Sequence, residues 1–119
     1  MSRATAADLM RILEQVPVVY RQAGKPWGII PGYTVAAKTG TAQEYGRGGR
    51  YYGSSFIGIA PAKSSGLVVA VNLQDPRNGS YFGIDVAGPV FNAVMKFALA
   101  SMKIPPGGGH VPTVPLIVH

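Results

Sequence analysis

Three short apolar segments follow one another in the middle of the chain, at residues 33–41, 54–60 and 67–73. They are rich in β-branched or aromatic residues and are bounded by glycine, proline or polar residues, a pattern typical of β-strands. The connection at 61–66 suits a hairpin. The connection at 44–53 holds four glycines and two arginines and is expected to form a loop or a wide hairpin turn. These segments predict three antiparallel strands, and the almost continuous hydrophobicity of the third predicts that both its faces are covered.

Two other segments carry the three-and-four spacing of apolar residues that places them on one face of a helix. Near the start of the chain these residues are Leu9, Ile12, Leu13 and Val16. Thr5, with Asp8 three residues later, resembles an N-terminal capping box. We expect this helix to end near Pro17, because proline lacks the amide that a continuing helix uses.

Near the end of the chain the apolar helical face consists of Phe91, Val94, Met95, Ala98 and Met102. Asn92 and Lys96 lie outside this face, and Pro89 fits the first turn of the helix, where its missing amide costs little. The sequence therefore predicts an α+β fold in which an antiparallel sheet is packed by N- and C-terminal helices. We expect residues 1–106 to belong to one domain and residues 107–119 to form a Pro/Gly-rich tail.

Composition excludes several classes of protein. The 119 residues, 47% of them apolar, suit a single compact domain rather than a disordered chain. Because there is no cysteine, a disulfide framework and a cysteine zinc site are excluded. No apolar run approaches the length of a membrane span. The two histidines, His110 and His119, and the five scattered carboxylates show no metal-ligand spacing, so we expect no metal and no cofactor.

The formal net charge of +6 raises the question of an anionic partner. The basic residues are spread over almost the whole chain, and their closest cluster is only Arg47 to Arg50, which favours a basic solvated surface over nucleic-acid binding. One alternative stays open, a small basic module that binds anionic or single-stranded ligands through Arg47, Arg50 and the neighbouring Tyr51 and Tyr52.

Lys38, Thr39, Gly40 and Thr41 end the first predicted strand. Because Thr39 and Thr41 are two residues apart, their hydroxyls point to the same side of a pleated strand and could together hydrogen-bond one carboxylate. Gly40 has no Cβ, so another backbone could approach this edge closely. Lys38 adds positive charge, although strict alternation sends its side chain to the opposite side. Taken alone, these four residues also fit an edge strand whose lysine and threonines discourage aggregation.

The surrounding sequence, GYTVAAKTGTAQ at 32–43, resembles the Lys-Thr-Gly element of the penicillin-binding-protein transpeptidases. Residues 54–61, 68–76 and 81–106 are similar to the later strands and the C-terminal helix of class B enzymes of that family, the monofunctional type that acts in division or elongation. The resemblance covers nearly the whole chain, with Ala37 where many relatives have glycine. A β-lactamase or carboxypeptidase relative, which would share the Lys-Thr-Gly element, fits the C-terminal helix less well.

The resemblance implies a penicillin-binding-protein/serine β-lactamase-like fold and peptidoglycan D,D-transpeptidase activity, in which a serine forms an acyl-enzyme with a stem peptide or with a β-lactam. Thr39 and Thr41 would then hold the terminal carboxylate of the substrate, and Lys38 would supply positive potential. Gly40 would let the substrate lie along the strand. The backbone N–H of Thr41 would be one donor of the oxyanion hole.

The nucleophilic serine that the family uses is missing from the sequence. No Ser-x-x-Lys and no Ser-x-Asn occurs in the 119 residues, and the family carries both elements N-terminal to the Lys-Thr-Gly strand. The resemblance therefore implies that this chain is the C-terminal portion of a transpeptidase domain, that its partner is the N-terminal portion, and that it is inactive alone. It also implies a place at the outer face of the bacterial cytoplasmic membrane, with the anchor in the N-terminal portion.

Overall fold

The computed structural model describes residues 1–46, 48–64, 66–77 and 81–107. In chain order the helices and strands are α1 (Arg3–Gln22), β1 (Ala36–Gly46), β2 (Gly49–Ala60), β3 (Leu67–Gln74), α2 (Gly83–Val86) and α3 (Gly88–Ser101). The three strands form one antiparallel sheet in the order β1-β2-β3, which confirms the predicted α+β architecture. Of the tail predicted at 107–119, only Gly107 lies within the described residues, and both histidines lie outside them.

The hairpin between β1 and β2 is tighter than the sequence predicts. β1 extends to Gly46, β2 begins at Gly49, and these two glycines are opposite each other. The expectation of a loop or a wide hairpin turn over 44–53 is therefore wrong in its extent, although the two strands do form a hairpin. The ladder continues through cross-strand pairs such as Glu44 with Tyr51, and the aromatic side chains of this segment favour a strand.

The first strand begins at Ala36, three residues later than predicted. The preceding residues bind other parts of the chain instead of β2. The N–H of Tyr33 donates to the Ile30 carbonyl at 3.1 Å, and the Thr34 carbonyl accepts from the N–H of Ala62 at 2.9 Å. These bonds form a turn and a bridge, so the apolar character of the segment reflects burial rather than strand pairing.

Helix α1 is longer at both ends than predicted. Its N-cap is Ser2, whose hydroxyl accepts the N–H of Thr5 at 3.1 Å, so the capping expected at Thr5 is wrong. The helix also continues past Pro17 to Gln22. Pro17 removes one helical hydrogen bond, but its side chain is fully buried against Gly28, where a Cβ would lie 3.2 Å away. The tertiary packing therefore offsets the local cost of the proline.

The apolar face predicted for α1 is not the buried one. Leu9 and Ile12 are exposed, whereas Glu14, Gln15 and Pro17 are buried. Leu13 and Val16, the other two residues of the predicted face, are half-buried, so the side of α1 that packs toward β1 and Gly28 is rotated from the predicted face toward Glu14 and Pro17.

The buried face of α3 also differs from the prediction. Pro89 lies in the first turn as expected, and Phe91 and Met95 are buried, but Val94 and Met102 are exposed. Asn92, expected outside this face, is buried because its side chain binds the backbone of the segment before β1. Its Oδ1 accepts the N–H of Gly28 at 2.7 Å, and its Nδ2 donates to the carbonyl of Ile29 at 3.2 Å.

The apolar core lies on one face of the sheet. Phe56 of β2 is fully buried there, and its ring centroid is 4.6 Å from that of Phe91 in α3. On the opposite face, Ile57 and Val68 remain 48% and 64% exposed. The prediction that β3 is covered on both faces is therefore wrong for the described residues, because every helix that touches β3 packs on the Phe56 face.

Candidate functional site

The residues Lys38 to Thr41 lie in the middle of β1, which is an edge strand of the described sheet. Thr39 is opposite Phe56, and Thr41 is opposite Ser54, so both threonines lie on the face of the sheet that carries the core. Lys38 and Gly40 belong to the other face. The hydroxyls of Thr39 and Thr41 thus share one side of the strand.

The backbone groups of Thr39 and Thr41 point away from the sheet. The N–H of Asp75 donates to the Tyr52 carbonyl at 2.8 Å, so Tyr52 faces β3. Because backbone groups alternate in direction along a strand, Ser55 faces β1 instead, where it is opposite Gly40. The threonines on either side of Gly40 therefore direct their N–H and C=O groups toward the free edge of β1.

Lys38 reaches this free edge despite belonging to the opposite face. Its Nζ donates to the Thr39 carbonyl at 3.2 Å, and the side chain is exposed. The long stem therefore bends around the strand, which resolves the conflict between alternation and a role at the edge. The ammonium group lies beside a backbone carbonyl that no neighbouring strand uses among the described residues.

Both threonine hydroxyls have partners within the chain. The Oγ1 of Thr39 lies 2.9 Å from the phenolic oxygen of Tyr20 in α1, and either atom is able to donate. The Oγ1 of Thr41 accepts the N–H of Gly83 at 3.1 Å. A hydroxyl has one hydrogen and two lone pairs, so Thr41 keeps its hydrogen for a further acceptor. Tyr20 was missed by the sequence reasoning, because nothing in the spacing connects residues 19 positions apart.

Two glycines, Gly40 and Gly83, lie where a side chain would crowd neighbouring atoms. A Cβ at this position would lie 2.6 Å from the hydroxyl oxygen of Ser55. A Cβ at Gly83 would lie 2.5 Å from the Ser55 carbonyl and 2.6 Å from the Gly40 carbonyl. The first residue of α2 therefore rests directly on the backbone of β1 and β2, which fixes α2 relative to the Lys-Thr-Gly strand.

Aromatic side chains flank the threonine side of the strand. The rings of Tyr52 and Tyr81 are stacked, with centroids 4.0 Å apart and an interplanar angle of 11°, and Phe82 packs on Tyr81 at 4.8 Å. The hydroxyl of Ser54 donates to the Tyr81 carbonyl and holds this segment on the sheet. Phe82 is followed directly by Gly83, whose N–H donates to the hydroxyl of Thr41, so the aromatic cluster is connected to Thr41.

Among the described residues of the basic-module alternative, Tyr51 and Tyr52 are consecutive in β2 and therefore point to opposite faces of the sheet. Arg47 lies outside the described residues, and Tyr52 is stacked within the chain. Tyr51 is hydrogen-bonded to Glu44, and this bond together with the negative charge of Glu44 raises the pKa of Tyr51 above its usual value. A phenol held by a carboxylate is a poor contact for an anionic ligand.

A family model for the penicillin binding protein transpeptidase domain matches residues 1–96. The chain belongs to this family. The peptidoglycan D,D-transpeptidase FtsI of Escherichia coli K12 is 42% identical over 80 residues, which are 65% of this chain and 14% of that protein. The probable peptidoglycan D,D-transpeptidase PbpC of Pseudomonas aeruginosa is 44% identical over 109 residues, which are 89% of this chain and 18% of that protein.

Solved structures show the same family fold. The transpeptidase domain of Burkholderia pseudomallei penicillin-binding protein 3 superposes with a TM-score of 0.72 at 39% identity, over 90% of this chain and 33% of that one. A peptidoglycan synthetase of Bifidobacterium adolescentis superposes with a TM-score of 0.77 at 27% identity, over 94% and 21% of the two chains. The chain thus spans a third or less of the length of these relatives. The predicted family and fold are confirmed.

Two further properties of the chain concern metals and membranes. Within residues 1–46, 48–64, 66–77 and 81–107, no three histidine or acidic side chains are grouped as metal ligands would be. None of the helices in those ranges combines the length and the hydropathy that crossing a bilayer requires.

Proposed function

We propose that this chain supplies the substrate-binding strand of a peptidoglycan D,D-transpeptidase. The terminal carboxylate of a stem peptide, or its β-lactam equivalent, binds beside Thr39 and Thr41 along the free edge of β1. The observation that carries this proposal is the direction of the backbone, because both threonines turn their N–H and C=O groups toward the edge that no described strand occupies. An extended peptide adds to such an edge as a further strand.

The spacing of the two threonines suits one carboxylate. Alternate residues of a strand are about 6.8 Å apart, which leaves room for a carboxylate that accepts one hydrogen bond on each oxygen. Thr41 donates its free hydroxyl hydrogen, and Thr39 donates when Tyr20 supplies the hydrogen of their mutual bond. Lys38 adds positive charge at the same edge, which strengthens the binding of an anion.

The chemistry requires a serine from outside these 119 residues. That serine attacks the penultimate carbonyl of the stem peptide, and the leaving D-alanine takes up a proton as the acyl-serine forms. The amine of a second stem peptide then displaces the serine. During both attacks the backbone N–H of Thr41, directed to the free edge, stabilises the negative charge on the carbonyl oxygen. The residue roles of Lys38, Thr39, Gly40 and Thr41 are part of this proposal.

The partner and the location follow from the same proposal. The N-terminal portion of the transpeptidase domain, with its Ser-x-x-Lys and Ser-x-Asn elements, completes the site and covers the exposed face around Ile57 and Val68. The assembled domain works at the outer face of the cytoplasmic membrane, anchored by sequence outside this chain. Residues 1–106 are the domain portion, and residues 107–119 are a tail.

A chimera tests the proposal. In the chimera, this chain replaces the corresponding segment of the Burkholderia pseudomallei transpeptidase domain. The two structures superpose over 90% of this chain. We expect the isolated chain to take up no fluorescent penicillin, since it has no nucleophile. We expect the chimera to be labelled stoichiometrically, and Thr41→Val in the chimera to slow acylation about 10- to 100-fold, the effect of one lost hydrogen bond to a charged group.

Two variants control the chimera experiment. Thr41→Ser keeps the hydroxyl and should retain most of the rate, and Ser101→Ala removes an exposed hydroxyl at the end of α3 and should change nothing. Covalent labelling of the isolated chain would contradict the proposal. So would a folded chimera whose acylation rate is indifferent to Thr41→Val.

A further inference from the structure

A cavity of about 460 Å³ lies between α1 and the segment that leads into β1. Its walls are mostly apolar and include Pro17, Val18, Ile30, Tyr33 and Val35. A cavity of this volume is within the range of small-molecule sites. It is separate from the threonine side of β1, since none of Lys38 to Thr41 lines it.

Glu14 also lines this cavity and has an unusual environment. Its side chain is 3% exposed, and its Oε2 has no hydrogen-bond partner in the described structure. Buried carboxylates are normally paired with a cation or saturated with hydrogen bonds, because an unpaired buried charge is strongly unfavourable. The ion pairs of the described residues use Asp8, Asp75 and Asp85 and leave Glu14 out.

The nearby arginine does not compensate this charge. Arg21 lines the same cavity but lies two helical turns from Glu14, about 10.5 Å along the axis, and its side chain is exposed. It forms none of the ion pairs of the described residues. The cavity therefore combines apolar walls with one buried carboxyl oxygen that no hydrogen bond or ion pair of the described residues satisfies.

We propose that this cavity binds a cation carried on an apolar stem, an alkylammonium or alkylguanidinium group. The charge pairs with Glu14, and the stem lies against the apolar wall formed by Pro17 and Ile30. A free amine and the side chain of a lysine or arginine from another polypeptide offer the same chemistry. The site is independent of the transpeptidase proposal, because it uses neither the Lys-Thr-Gly strand nor the missing serine.

The test compares n-butylammonium with n-butanol, which has the same stem without the charge. Binding to the full 119-residue chain is measured by NMR, from the chemical shifts of the backbone amides of Gly28 and Gly32. Both residues line the cavity, and the ionic strength is kept constant. We expect n-butylammonium to bind at least tenfold more tightly than n-butanol. Glu14→Gln keeps the shape of the side chain and should weaken the binding of n-butylammonium at least tenfold. Asp8→Asn removes an exposed charge from the same helix and should leave binding unchanged.

A second variant and a peptide complete the design. Glu14→Met removes the charge at similar volume, so it should unfold at a higher temperature than the unmodified chain and should not bind n-butylammonium. If a capped Ala-Lys-Ala peptide binds as well, the natural occupant is a polypeptide side chain, and if only n-butylammonium binds, it is a free amine. Equal binding of the amine and the alcohol, or unchanged binding in Glu14→Gln, would overturn the proposal, as would a Glu14→Met chain of lower stability.

Discussion

The hydroxyl oxygen of Thr41 accepts a hydrogen bond from the backbone N–H of Gly83 at 3.1 Å. This bond joins the Lys-Thr-Gly strand to the first turn of α2, 42 residues later in the chain. The contact is direct because Gly83 has no side chain to hold the two backbones apart. The position of Thr41 and the position of α2 are therefore set together.

Replacing Gly83 by alanine should destabilise the chain. The new Cβ would meet two backbone oxygens at 2.5 and 2.6 Å, and backbone in the middle of a sheet cannot move aside cheaply. We expect a loss of about 1–3 kcal/mol, typical of overpacking, measured from the urea midpoint. Gly48→Ala is the matched control, since nothing lies within 4 Å of its Cβ position, and it should change stability by less than about 0.5 kcal/mol. Equal effects of the two variants would contradict the packing argument.

Replacing Asn92 by alanine should destabilise the chain by about 2–4 kcal/mol. The buried amide accepts from Gly28 and donates to Ile29, and its loss leaves two backbone groups without their partners. Chemical denaturation measures the effect. Asn72→Ala, which changes an exposed residue of β3, should cost less than about 0.5 kcal/mol. A loss below about 1 kcal/mol for Asn92→Ala would show that water replaces the amide.

The sequence was sufficient to predict the number of strands and their antiparallel pairing, but not where the strands begin and end. Each strand combines β-branched residues with flanking glycine or proline, and these are local signals, so all three strands and their antiparallel order follow from short segments. The sequence also predicted that the hydroxyls of Thr39 and Thr41 share one side of a strand, and the register of β1 confirms that placement. Local signals were not always sufficient, since the N-cap is Ser2 rather than Thr5 and the β1–β2 ladder continues through the segment predicted to be a loop.

The sequence was not sufficient wherever distant segments decide the outcome. Pro17 reads locally as the end of a helix, yet packing against Gly28 keeps the helix intact. The periodicity predicts Asn92 at the surface, but its side-chain amide is buried and accepts the backbone N–H of Gly28, 64 positions earlier in the chain. Tyr20 gives no sign that it meets Thr39. These relationships belong to tertiary structure and are invisible to periodicity.

Lys38→Met should slow acylation of the chimera about tenfold. The variant keeps the length of the side chain but removes the positive charge that lies beside the Thr39 carbonyl at the free edge. Because exposed charges are screened by salt, the acylation rate of the unmodified chimera should fall as salt is added, whereas that of Lys38→Met should change little. Lys96→Met, an exposed charge on α3, is the control and should retain both the rate and its salt dependence.

Glu44→Gln should lower the pKa of Tyr51 toward its ordinary value. The hydrogen bond with Glu44 is the largest cause of the raised pKa, followed by the charge of the same carboxylate, while Asp75 contributes least. The pH titration of carbon-13-labelled tyrosine rings, observed by NMR, measures the change, and Asp75→Asn should have the smaller effect. A larger effect of Asp75→Asn would contradict the assignment of Glu44 as the main partner.

The raised pKa of Tyr51 also fixes the direction of a pH effect on stability. A tyrosine whose pKa is higher in the folded state holds its proton more tightly there than in the unfolded state. Its contribution to stability is therefore complete below the ordinary tyrosine pKa of about 10 and disappears as the pH rises through the raised value. Tyr51→Phe should remove this alkaline dependence and should lower stability near neutral pH by the same small amount, because the Glu44 contact is partly exposed to solvent and contributes little. Alkaline denaturation that is identical in the two chains would show that Tyr51 is not the titrating group.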